Sequence, residues 1–132
     1  MANEAVCIET PTKFARRTVA VGTAIAYGTL MAAATPNTVA ASTADDDVFG
    51  GICWVEKTDT TSTTEITVAL DGKWAILCSA GAITIGQDVV ISGANLITVY
   101  ATLDDEKGRV VGKASEGGAG STIINVRVNC LI

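Results

Sequence analysis

The chain has 132 residues, a net charge of −5 and no histidine; hydrophobic residues make up 48% of it but aromatics only 5%. A single domain of this length can bury a core without metals or crosslinks, and that core has to be built from Ala, Val, Ile and Leu. The acidic balance argues against a nucleic-acid surface, which needs clustered Lys and Arg, and a chain without histidine lacks the commonest general base and transition-metal ligand.

Residues 1–17 differ from the rest of the chain. They carry Glu4 and Glu9, then Lys13, Arg16 and Arg17, and Pro11 interrupts any helix. With so little apolar periodicity the segment is predicted to be an extended N-terminal arm, mobile ahead of a single β domain over 18–132. Residues 18–44 contain no charge. Behind an arginine pair and ahead of Ala32-Ala33-Ala34, this run has the outline of an export leader cleaved near Ala34. It is too short and too polar to span a bilayer, with Gly22, Gly28 and threonines at 18, 23 and 29. Val19, Val21, Ile25 and Tyr27 fit two short strands with turns at the glycines better. Asp45, Asp46 and Asp47 close the segment; three consecutive carboxylates cannot converge on one ion from an extended chain, so a solvated turn is expected and not a calcium site.

In "TTEITVALDGKWAILCS" two β-rich runs flank Asp71-Gly72, a dipeptide suited to a two-residue type I′ hairpin. Further strands are expected near 82–85, 88–91, 96–102 and 109–114, punctuated by Gly86, Gly93, Asn95 and Gly108, with Asp104-Asp105-Glu106 at a charged hairpin tip. In the closing "STIINVRVNCLI", Ile124, Val126 and Val128 share one face opposite Asn125, Arg127 and Asn129. Short strands in this rhythm predict an all-β fold, a small β-barrel or sandwich with an extended N-terminal arm.

Nothing is arranged for catalysis. Lys113 and Ser115 are close in sequence, but neither a G-x-S-x-G elbow nor an S-x-x-K motif is present. The glycines at 117, 118 and 120 precede no G-K-[ST], so they read as a flexible loop and not a phosphate cradle. No enzyme activity, cofactor or metal is expected. Cys7, Cys53, Cys78 and Cys130 form no CxxC pair; they admit two disulfides in three pairings, or free buried thiols. Trp54 and Trp74 are either core anchors or interface anchors, since tryptophan dominates many binding interfaces.

The order of these features resembles the capsid cement, or head decoration, proteins of tailed double-stranded DNA bacteriophages. "VAVGTAIAYGTLMAAATPNTVAASTADDDVFGGICWVEK" resembles their opening module, a strand pair around a glycine turn and then a Gly-Gly strand. "VALDGKWAILCSAGAITIGQDVVISGANLIT" resembles the central one, a D-G-x-W hairpin leading to an I-x-x-G-x-x-V turn and strand. "DEKGRVVGKASE" and "STIINVRVN" resemble the closing strands. The cysteines and the cluster from Lys13 to Arg17 lie outside that pattern.

The resemblance implies a homotrimer on the outer capsid surface that binds the major capsid protein, stabilises the expanded head, and has no nucleic-acid or membrane partner. It also implies that the apolar run is structural and that assembly takes place in the bacterial cytoplasm, where thiols stay reduced. Lys13, Phe14, Arg16 and Arg17 are the expected capsid-binding residues, the arginines meeting acidic groups and Phe14 an apolar pocket, with Trp54 and Trp74 as possible interface anchors. The alternatives are a secreted adhesion or pilin-like β domain with a cleaved leader and two disulfides, and another phage structural module from a tail or fibre.

Overall fold

The computed structural model describes residues 3–35, 37–44, 47–58, 62–100, 109–130 and 132, and all regular structure among them is β. The strands are β1 (Val6–Glu9), β2 (Phe14–Thr18), β3 (Leu30–Thr35), β4 (Thr38–Ala41), β5 (Phe49–Cys53), β6 (Glu65–Ala69), β7 (Asp71–Cys78), β8 (Asp88–Ile91), β9 (Leu96–Val99), β10 (Val110–Ala114) and β11 (Ile123–Asn129). They form two small closed barrels in tandem. The first runs β2-β4-β3-β5-β6 and closes on itself. The second runs β7-β11-β10-β8-β9 and closes through a parallel β7–β9 pairing. Five strands enclose a narrow interior that small aliphatic side chains can fill, which is how so few aromatics suffice.

The two barrels are copies of one plan. In each, the first strand pairs parallel with the third and antiparallel with the fifth, while the second lies between third and fourth. Equally spaced residue pairs carry the same local structure. Gly28 and Gly86 have φ of 88° and 87°, and Asn37 and Asn95 have φ of 61° and 59°. Gly28 N–H donates to Cys53 O as Gly86 N–H donates to Ala114 O, and Ser42 N–H to Leu30 O as Tyr100 N–H to Asp88 O. An isolated bridge joins Ile25 to Lys57 in the first barrel and Ile83 to Gly118 in the second.

The expected hairpin at Asp71-Gly72 is instead the junction between barrels. β6 and β7 belong to different barrels and only Leu70 separates them. The demand for φ > 0 is real, since Gly72 sits at φ 100°, but it serves a kink at the start of β7 where a Cβ would press on Glu9 O. The Asp71 carboxylate accepts from Thr12 N, Thr12 Oγ1 and Lys13 N at 2.7, 2.6 and 3.0 Å, pinning the β1–β2 connection to this junction.

The described part of the expected arm, residues 3–17, is built into the two barrels. β1 adds to β7 along the second barrel, and β2 is an integral wall of the first, paired with β6 over its whole length. Charge and weak periodicity mislead here because four- and five-residue strands with one face at the surface need few apolar positions. Strand expectations at 88–91 and 109–114 match β8 and β10 closely, whereas 82–85 contributes only the bridge at Ile83. The turns at Gly22 and Gly28 are present, but the two short strands expected around them are not: residues 19–29 contribute only the isolated bridge at Ile25. Asp45, Asp46 and the 104–106 tip lie outside the described residues; Asp47 accepts from the backbone N–H groups of Thr43 and Ala44, as a turn residue does.

One hydrophobic cluster unites the barrels, joining Leu30, Phe49, Ile52 and Ala69 of the first to Trp74, Ile76, Val89, Ile91 and Val126 of the second. A smaller cluster of Val19, Met31, Val39, Ile66 and Val68 fills the first barrel. Polar bonds cross the same seam: Leu30 N–H donates to Asn95 Oδ1 at 2.9 Å, Asn95 N–H to Ser42 Oγ at 3.1 Å, and Ser42 Oγ to Gly93 O at 3.0 Å.

Candidate interaction surface

Strand periodicity splits the basic segment that sequence grouped together. Successive side chains point to opposite faces of a strand, so Phe14 and Arg16 share one face of β2 while Arg17 faces the other way. Arg16 is exposed and pairs with Glu65 across the strands at 3.2 Å. Arg17 is half-buried: its Nη2 donates to Ile132 O at 2.7 Å, while its Nε is buried with no hydrogen-bond partner among the described residues. Lys13 is exposed just ahead of β2. The cluster therefore offers one outward arginine, already partnered, and not a basic pair.

Phe14 opens a more organised feature. Four of the chain's six aromatic side chains meet where the barrels join. Phe14 packs on Trp54 at 5.3 Å between ring centroids, Tyr27 lies 5.7 Å from Trp54 and 5.9 Å from Trp74, and Trp54 meets Trp74 edge-on at 6.2 Å. Such tilted and T-shaped contacts are the favoured arrangements for aromatic quadrupoles. Trp74 is the anchor: it has no exposed surface and its Nε1–H donates to Asp71 O at 3.1 Å. It is core, not an interface residue. Trp54 is half-buried over it, and Phe14 and Tyr27 remain 44% and 40% exposed. Val55, beside Trp54, is exposed as well.

The patch is fixed from below and from the side. Tyr27 lies beside the Cys7 thiol of β1, which itself donates to Glu9 O at 3.4 Å. Burial pushes both the Cys7 thiol and the Tyr27 phenol above their ordinary ranges, so both stay neutral at pH 7. Burial likewise raises the Cys53 thiol to about 11. All four thiols are unpaired. Among the described residues no cluster of three or more metal-ligating side chains occurs, and no helix is long and apolar enough to cross a membrane.

Tyr27 and Cys7 escaped sequence reasoning. The signal for Tyr27 was the internal repeat: Ile25-Ala26-Tyr27-Gly28 aligns with Ile83-Thr84-Ile85-Gly86, and Ile85, like Tyr27, is a large exposed apolar residue ahead of the turn glycine. Cys7 gave no such signal, because its role depends on β1 crossing to the second barrel. Set against known proteins, the chain matches no protein-family model and no curated protein.

Proposed function

We propose that this protein is a capsid cement protein of a tailed double-stranded DNA phage, a non-enzymatic homotrimer that assembles in the host cytoplasm onto the outer surface of the expanded head. The resemblance of its strand modules to such proteins suggests the reading. The observation that carries it is the aromatic patch of Phe14, Tyr27 and Trp54, held on the fully buried Trp74 at the junction of two closed barrels. A rigid body with few free strand edges and a pre-ordered aromatic surface suits a clamp: little entropy is lost on binding, and rigid aromatic anchors supply most of the contact energy. One trimer bridging several capsid subunits multiplies weak contacts through effective concentration. In this reading Phe14 and Arg16 contact the major capsid protein from a β-strand, with Tyr27 and Trp54 completing the contact. The secreted, disulfide-stapled alternative draws no support from four unpaired thiols.

The test is co-sedimentation and electron microscopy of the protein with undecorated, expanded capsids. The parent chain should decorate them at saturable, regularly spaced positions. Phe14→Ala and Tyr27→Ala, whose side chains are partly solvated and dispensable to the core, should stay folded and bind at least tenfold more weakly. A parent chain that leaves such capsids bare would refute the reading. Variants that bind as well as the parent would move the contact off the aromatic patch.

A further inference from the structure

The two barrels share a plan, so one reports what the fold itself requires at the matching positions of the other. On the outer wall of the second barrel, cross-strand register lines up Leu96, Leu77 and Ile123 on neighbouring strands β9, β7 and β11. On the first barrel the same register lines up Thr38, Thr18 and Glu65 on β4, β2 and β6. The row is polar in one copy and wholly apolar in the other. Since the first barrel closes with a threonine pair and a glutamate there, the fold does not demand leucine and isoleucine. Yet Ile123 is 63% exposed.

The apolar wall extends beyond that row. Ala75, also outward on β7, stands opposite Val6 of β1, which is 60% exposed, and Ile8 of β1 is exposed too. Among the described strands β1 is the one with a neighbour on a single side. An open edge with exposed apolar side chains is a liability that folded proteins cover, and it adjoins an apolar wall that the sister barrel lacks.

The rim indicates what covers it. Further along the same face from the Ala75–Asn125 pair, a row of charges crosses five strands: Glu9, Lys73, Arg127, Lys113 and Asp88, consecutive in register. Glu9 pairs with Lys73 at 3.2 Å and with Arg127 at 2.9 Å, and Asp88 with Lys113 at 2.6 Å. Acids end the row and bases fill its middle. A rim of mixed sign beside an apolar centre fits a partner of equally mixed sign, which another copy of this chain supplies; a uniformly charged partner would face like charges along part of the row.

We infer that the wall formed by Leu77, Leu96 and Ile123, with Val6 of β1 beside it, is the surface through which copies of this chain associate. The inference rests on the homotrimer of the proposed function and locates its seam. Each copy contributes this wall to a neighbour, and the first barrel, polar at the equivalent row, stays free of that contact.

Grafting the first barrel's residues onto the second tests it. Ile123→Glu, and the triple change Leu77→Thr, Leu96→Thr and Ile123→Glu, install side chains that an equivalent barrel already carries. Sedimentation velocity and light scattering over a hundredfold concentration range read the mass, and circular dichroism reads the fold. The parent should show threefold the chain mass, and both variants a single-chain mass with an unchanged β spectrum. If Ile123→Glu fails to fold, Ile123→Thr carries the same test and should raise the dissociation constant at least tenfold. A folded variant that keeps the parent's mass, or a parent that is a single chain at every concentration, overturns the inference. Capsid binding is measured separately. A parent that associates through this wall yet ignores capsids removes the cement reading and leaves the seam standing, whereas a parent that decorates capsids while the variants still associate does the reverse.

Discussion

Replacing Asn95 tests how the two barrels are joined. Asn95 is buried at a left-handed turn with φ of 59°, and its side-chain oxygen accepts the N–H of Leu30, a residue of the other barrel with no exposed surface. In Asn95→Ala that N–H loses its partner, which costs about 1–3 kcal/mol for a buried donor. Alanine also tolerates the left-handed conformation worse than asparagine, at about 1–2 kcal/mol. The sum is about 3 kcal/mol, a drop in Tm on the order of 10 °C for a chain of this size. Two companions separate the parts. Asn95→Gly relieves the backbone cost and keeps the orphaned N–H. Asn37→Ala carries the same backbone cost at the equivalent, exposed position of the first barrel, where φ is 61°. Urea and thermal unfolding at one fixed protein concentration, since association would add to stability, should rank Asn95→Ala as the most damaging, with Asn95→Gly between it and the parent. If Asn95→Ala costs no more than Asn37→Ala, the bond to Leu30 contributes nothing to holding the barrels together.

Asp71 should give the chain an acid-sensitive joint. Burial raises its carboxyl, but the Thr12 hydroxyl, the N–H groups of Lys13 and Thr12 and the Lys13 charge outweigh that and hold it below its ordinary value. A lowered folded-state pKa means that the stabilisation is present above the unfolded value of about 3.9 and is lost as pH falls through the folded one. Asp71→Asn should therefore be less stable than the parent at pH 7, with the gap closing near pH 3; a gap independent of pH in urea titrations would refute this. Gly112→Ala should destabilise the second barrel by several kcal/mol, because a Cβ there runs into the carbonyl oxygen of Arg127 on the paired strand; a thermal melt within 2 °C of the parent would count against that packing. Cys53 and Cys78, both buried, should resist a thiol reagent at pH 8 in native protein while all four cysteines react after denaturation. Rapid native labelling of Cys53, followed by mass spectrometry, would contradict a thiol raised to about 11.

What sequence alone determined was local. Alternation in "STIINVRVN" fixed which face of β11 is buried, because a period of two admits only two choices and Ile124, Val126 and Val128 make one of them wholly apolar. Glycine at 28, 72 and 86 marked turn positions, and the dearth of aromatics pointed to a core of Ala, Val, Ile and Leu. What tertiary structure decided was which strands meet. Asp71-Gly72 satisfies a hairpin and an inter-barrel kink equally well; the choice fell to long-range pairing, with β6 closing one barrel on β2 and β7 opening the other against β11. The same holds for the N-terminal residues, whose strands gain their stability from β7 and β6, far along the chain, so no local pattern announced them. The aromatic patch was half visible. Phe14, Trp54 and Trp74 could be singled out as rare residues, but whether an indole is core or surface depends on what packs over it. Only the crossing of β1, the Tyr27 turn and the barrel junction at one point buried Trp74 completely and left Phe14 and Tyr27 in reach of solvent.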